Sequence, residues 1–311
     1  MNSYKPLVYV LLTLSFLSNF ALADVWTDAQ RGFAQNGDVE IHYATLGEGP
    51  LVIMIHGFPD FWYSWRDQME GLKDDFKVVA MDQRGYNYSG KPEEESSYNI
   101  THLTADVAAI IRHFDADSAT IVGHDWGGIV AWQFAFAYPE MVDKLVVLDM
   151  PHPNGLAREL AANSTQYQNS AYARTFMAGS PSDPDVFFGG PMNANTLSGW
   201  VTDAEAREKY VEAFERSSFD GMLAYYKQNY PRIDYASSLP ELEPKLNVPV
   251  LIIHGLQDIF LLAEGLNNSW EWNDSTTTIL TIPSSGHFVQ QDASGLVTQT
   301  LRSWLTTVSK F

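Results

Sequence analysis

Gly123-His124-Asp125-Trp126-Gly127-Gly128 is the stretch whose reading decides the fold. The apolar run Ala119 to Val122 precedes it, and Ile129 to Ala137, apolar nearly all round, follows. A buried strand therefore runs into a tight turn and out into a buried helix. Small residues at 123 and 127 let the backbone reverse without clashes, and the central side chain is pushed out at the C-terminal edge of the sheet. In turns of this kind that residue is usually serine. Here it is Asp125, and a carboxylate does different chemistry. It displaces a leaving group at an sp3 carbon, forming an alkyl ester that water then hydrolyses.

Outward from this turn, Leu51-Val52-Ile53-Met54-Ile55 is an uninterrupted apolar run that fits a strand buried on both faces. Phe76 to Met81, Leu145 to Leu148 and Val248 to Ile253 read the same way, and Thr277 to Ile282 as a short strand. Val39 to Thr45 reads as an edge strand. Leu103, Val107, Ile110, Ile111 and Phe114 fall on one helix face. Strands alternating with helices predict an α/β fold with a mostly parallel sheet and helices on both faces. From Pro151 to about Glu243 no buried strand is visible, and Ser180-Pro181-Ser182-Asp183-Pro184 and Gly189-Gly190-Pro191 break the helical segments. Residues 151–243 therefore read as a helical cap inserted into a core built from 24–150 and 244–311.

The remaining chemistry follows from position. His56-Gly57-Phe58-Pro59 comes directly after the first buried strand, where a loop supplies one backbone N–H of an oxyanion hole; the residue after the nucleophile supplies the other. Those donors are Phe58 and Trp126, and such a donor is worth roughly 3–4 kcal/mol. His287, in Ser285-Gly286-His287-Phe288 after the last strand, stands where a general base belongs, and a neutral imidazole can take a proton from water near pH 7. Asp258, in Gly255-Leu256-Gln257-Asp258, is the expected acid that orients it. Asp149, after the strand ending at Leu148, is the alternative acid.

These segments, with Asp82-Gln83-Arg84-Gly85-Tyr86-Asn87-Tyr88-Ser89-Gly90-Lys91-Pro92, together resemble the epoxide hydrolase branch of the α/β-hydrolase superfamily, over about Val39 to Trp304. Asn87 stands where the superfamily loop usually has a glycine, and Asn tolerates positive φ. The resemblance implies an α/β-hydrolase fold and two cap tyrosines that donate to the epoxide oxygen. The matching residues are Tyr226, in Phe219-Asp220-Gly221-Met222-Leu223-Ala224-Tyr225-Tyr226, and Tyr172, with Tyr167 as fallback. The implied reaction opens an epoxide to a vicinal diol through an alkyl ester on Asp125, with no metal or organic cofactor. Haloalkane dehalogenases share the aspartate and the cap, and the indoles of Trp126 and Trp200 keep that alternative open, but Phe58 offers no side-chain donor. Fluoroacetate dehalogenases clamp a carboxylate with arginines where Trp126 and Ile129 stand here, which disfavours a free carboxylate. Some secreted epoxide hydrolases place the acid at the Asp149 position and use a His/Tyr pair in the cap. A non-catalytic secreted binder is the alternative from another class.

Acids outnumber bases 38 to 19, for a net charge of −19, which argues against nucleic acid and anionic lipid as partners. With 45% hydrophobic residues the chain can bury a large core, and with no cysteine it has neither disulfides nor thiol chemistry. Lys5, the apolar run from Leu7 to about Phe20 and Ala21-Leu22-Ala23 read as a signal peptide over residues 1–23, cut after Ala23. The expected mature protein is secreted or periplasmic, with no stable membrane insertion. A small apolar epoxide is the expected partner, and a homodimer through the cap is left open.

Overall fold

The computed structural model describes residues 24–239 and 241–308. The expected signal peptide lies outside the described residues. Eight strands form one sheet: β1 (Gln30–Asn36), β2 (Val39–Leu46), β3 (Leu51–Ile55), β4 (Lys77–Met81), β5 (Ala119–His124), β6 (Val142–Leu148), β7 (Val250–Gly255) and β8 (Thr277–Ile282). Their order is β1-β2-β4-β3-β5-β6-β7-β8. β1 pairs with β2, and β2 with β4, antiparallel; every other pair is parallel. Strands β5 and β7 are buried from end to end, and β3 at all but Leu51, because helices cover both faces.

One expectation fails here. Val39 to Thr45 lies in β2, which is the second strand, and the edge belongs to β1. The sequence of β1, Gln30-Arg31-Gly32-Phe33-Ala34-Gln35-Asn36, is mostly polar and exposed, with only Ala34 buried. An edge strand solvated on one side carries little apolar signal.

Between β6 and β7 the chain leaves the sheet and forms helices Pro153–Ala162, Ser164–Asn169, Ala171–Ala178, Ala194–Leu197, Ala204–Glu215 and Phe219–Asn229. Parallel strands deliver their C-terminal ends to one side, so the loops after β3, β5, β6, β7 and β8 converge under this helical layer.

The helix Trp126–Ala137 starts immediately after the turn at Asp125 and packs on β5, β6 and β3. Its entry is crowded. A Cβ on Gly127 would run into the backbone carbonyls of Ile55 and His56. Gly127→Ala must therefore push the helix off the end of β3, and overpacking of that kind costs about 1–3 kcal/mol. The expected outcome is a melting temperature lower by roughly 3–10 °C, read by differential scanning fluorimetry. An unchanged midpoint would mean that the turn is looser than described.

Candidate active site

Asp125 has φ 50° and ψ −120°, a conformation that L residues rarely adopt and that costs on the order of 1–3 kcal/mol. The turn from β5 into the helix imposes it and lifts the carboxylate above the sheet. Asp125 Oδ1 accepts a hydrogen bond from Phe58 N–H at 2.7 Å. Asp125 Oδ2 faces His287 Nε2 at 3.5 Å. The two oxygens are thus already distinguished, one held by a backbone donor and the other turned to the imidazole. Gly57 permits this approach, because a Cβ there would meet Asp125 Oδ1 at 2.7 Å.

The other ring nitrogen of the histidine, His287 Nδ1, lies 2.7 Å from Asp258 Oδ2. Asp258 Oδ1 accepts from the N–H groups of Phe260 and Leu261 at 2.7 and 3.1 Å, which fixes the carboxylate plane. Asp149 does something else. Its Oδ1 accepts from Gly255 N–H at 2.8 Å and its Oδ2 from Val289 N–H at 3.1 Å, so it braces the ends of β6 and β7 against the histidine loop. Asp149, His254 and Asp258 have potential metal-ligand atoms within 4.8 Å of one another, but backbone donors and His287 already occupy the carboxylate oxygens.

The electrostatics follow from burial and pairing. Burial alone would lower the pKa of His287, but Asp258 and Asp125 outweigh it and hold the imidazole well above its ordinary value. The two carboxylates therefore favour the protonated form of the imidazole. Burial raises Asp149 well above the carboxylate range, and Asp258 reinforces this. Asp258 moves the opposite way: burial opposes ionisation, but the charge of His287 and their hydrogen bond pull its pKa down.

The cap closes the site. Tyr172, on the helix Ala171–Ala178, and Tyr226, on the helix Phe219–Asn229, line one cavity of about 240 Å³ with Asp125 and His287. Their rings lie 6.2 Å apart, nearly perpendicular. Burial keeps both hydroxyls protonated, with pKa values well above 10, so both can donate. Tyr226 also packs edge-on to Trp126, with ring centroids 4.9 Å apart. Tyr167 is elsewhere. Its ring packs against Tyr235 at 6.2 Å and under the guanidinium of Arg174 at 4.0 Å, away from the cavity.

The chain matches the α/β hydrolase fold family over residues 50–294. It is 34% identical to epoxide hydrolase 1 of Caenorhabditis elegans over 86% of this chain and 68% of that one. It is 30% identical to the AB hydrolase superfamily protein YfhM of Bacillus subtilis, over 88% and 96%. Among solved structures, a Bacillus megaterium epoxide hydrolase bound to an inhibitor superposes with a TM-score of 0.80 at 31% identity, covering 89% of this chain and 100% of that one. The chain belongs to the epoxide hydrolase branch of the α/β-hydrolase superfamily. It is a hydrolase, which removes the non-catalytic binder from consideration.

Several contacts that shape the site of this epoxide hydrolase escape the sequence reading, although His56 reads there as structural and not as a base. His124 donates from Nε2 to the carbonyl of His287 at 2.7 Å, and burial lowers its pKa to about 4, so it remains neutral and anchors the histidine loop. His56 sits under the oxyanion loop: Nδ1 bonds Gly57 O at 2.8 Å and Nε2 accepts from Gln83 N–H at 3.0 Å. Asp60 ties this loop to the cap. Its Oδ1 accepts from Tyr210 Oη at 2.6 Å, and Tyr210 in turn accepts from Gln291 Nε2 at 3.2 Å. The only sequence signal for this latch is an acid directly after His-Gly-Phe-Pro.

Asp60 is fully buried, and that burial raises its pKa to about 7, although the bond from Tyr210 opposes the shift. An unfolded chain releases this proton near the ordinary carboxylate pKa of about 4. The contribution of Asp60 to stability is therefore fully present below about pH 4 and is lost as pH rises to about 7. Thermal melts of wild type and Asp60→Asn across that range should show the wild type losing ground to the variant as pH rises. A pH-independent difference would remove the raised pKa.

Proposed function

We propose that this hydrolase opens epoxides to vicinal diols through an alkyl ester on Asp125. The observation that carries the reading is the shared cavity, with the Asp125 carboxylate on its floor and the Tyr172 and Tyr226 hydroxyl groups contributed by the cap. A relative's chemistry supports it: a Bacillus megaterium epoxide hydrolase variant, similar at 32% identity, was crystallised with its product (R)-3-[1]naphthyloxy-propane-1,2-diol.

Asp125 Oδ1 stays in the oxyanion hole, so Oδ2 attacks the epoxide carbon. The ring C–O bond breaks, and the departing oxygen takes a proton from Tyr172 or Tyr226. An alkoxide leaving group makes that donor necessary, and such proton transfer contributes about 10²- to 10⁴-fold. Esterification removes the negative charge at Asp125 that helped to hold the proton on His287. The imidazolium then reprotonates the tyrosinate by way of solvent and becomes a base. Held by Asp258, it takes a proton from water, which attacks the ester carbonyl. Negative charge builds on Oδ1, against the N–H groups of Phe58 and Trp126. Collapse releases the diol and restores the carboxylate and the imidazolium. The base is thus made available by the first step.

The cavity walls are mainly aromatic, from Phe58, Phe176, Phe187, Phe260 and Phe288, which suits an apolar substituent. We also propose export, supported by the charged start, the apolar run and Ala21-Leu22-Ala23. Intact mass of the exported protein then gives Asp24 as the first residue. Dimerisation through the cap belongs to the same reading and is tested by sedimentation.

His287→Gln should accumulate the ester when mixed with styrene oxide, seen as a rise in intact mass equal to that of the epoxide. No adduct at any time would overturn the two-step scheme. Tyr226→Phe and Tyr172→Phe should each lower the alkylation rate by tenfold or more in stopped-flow measurements, with ester hydrolysis much less affected. Equal loss in both steps would reduce the tyrosines to packing.

A further inference from the structure

A second, open cavity of about 530 Å³ adjoins the catalytic one on the cap side. The two share Tyr172, Phe188 and Phe260. These rings form a triangle with centroid separations of 6.1 Å (Tyr172–Phe188), 5.8 Å (Phe188–Phe260) and 5.3 Å (Tyr172–Phe260). The shared wall is thus formed by three aromatic residues.

Two features of this wall are costly in a folded protein. Phe188 caps a tight turn closed by the Phe187–Gly190 bridge and has φ +46°, where a bulky residue is strained, yet 62% of it is exposed. Ile259, directly after Asp258, is 65% exposed on the opposite rim. The loop is held in register with the cap by Asn169 Nδ2, which donates to Ile259 O at 2.7 Å. A strained, exposed phenylalanine facing an exposed isoleucine across an open cavity is unexplained by packing. The same cavity is lined by Asp185 and, among the described residues, by no lysine or arginine.

We propose that this second cavity binds an elongated, uncharged apolar arm of the epoxide, which passes between the rings of Tyr172, Phe188 and Phe260 while the epoxide itself sits at Asp125. The inference rests on the epoxide reading above and adds to it the substrate class. The arm is long enough to leave the catalytic cavity, and it does not end in a carboxylate, because Asp185 would repel one and no cation is there to receive it.

The test compares kcat/KM for 1,2-epoxybutane, 1,2-epoxydecane and 9,10-epoxydecanoate, all below their aggregation concentrations. In the wild type, epoxydecane is expected to exceed epoxybutane at least tenfold and epoxydecanoate at least fivefold. Ile259→Asp should lower the ratio of epoxydecane to epoxybutane at least fivefold. Thr175→Asp, an exposed change on the cap wall of the same cavity, should lower it in the same direction. Asp185→Lys should bring epoxydecanoate up to or above epoxydecane. If epoxybutane is hydrolysed but neither chain length nor these variants alter the ratios, the second cavity is no substrate site. A gain with chain length that appears only above the aggregation concentration would assign the exposed rings to a lipid surface and equally overturn the proposal. If the wild type hydrolyses none of the three epoxides, the epoxide reading itself fails.

Discussion

An imidazole clamped between two carboxylates is the interaction on which the site depends. His287 faces Asp125 at 3.5 Å on one side and Asp258 at 2.7 Å on the other, and burial removes the water that would screen them. Three loops must arrive together for this. The loop after β5 brings Asp125, the loop after β7 brings Asp258, and the loop after β8 brings His287. Two further groups then fix their spacing: His124 holds the histidine carbonyl, and Asp149 pins the ends of two loops through backbone N–H groups. The positions of Asp149 and Asp258 divide the work. One carboxyl holds a protonatable partner and stays ionised, while the other, enclosed and facing a like charge, is driven toward its neutral form.

The floor of the site is rigid and its roof is soft. Phe58, Asp125 and Trp126 follow directly from buried strands or open a buried helix, where a change of a single methyl group meets backbone carbonyls. The roof is a set of aromatic side chains in edge-to-face contact, including Tyr172, Phe176, Tyr226 and Phe260. Such contacts can rearrange by rotation about side-chain bonds without disturbing the sheet. In the proposed reaction the roof supplies the proton donors Tyr172 and Tyr226, and the floor the nucleophile and its backbone donors.

What could be read from the chain depended on how local its signal was. Asp125 and the glycines around it lie within six residues of one another, so the turn is legible. His287 and Asp258 are legible because each follows a strand that the apolar pattern reveals. Tyr226 and Tyr172 are different: nothing in their own spacing separates a proton donor from a core aromatic, and only the family resemblance picks them out. β1 was missed because its polar residues face solvent. The role of His124 was missed because its partner is the carbonyl of His287, 163 positions along the chain. The bond between Asp60 and Tyr210 spans 150 positions and joins two segments with no shared pattern. The upward pull on the pKa of His287 is also hidden, since it arises from two carboxylates brought together only by folding.

The helical roof has a further consequence. It is inserted between β6 and β7, which are direct neighbours in the sheet. Its two ends meet again where Glu243 N–H donates to Asn154 Oδ1 at 2.9 Å. An insert anchored at such closely spaced points can lengthen, shorten or be exchanged without stretching the strands beneath it, because the gap to be closed stays constant. The architecture is thus a socket. A lineage, or an engineer, could fit a new roof for a new substrate while the machinery below kept its dimensions.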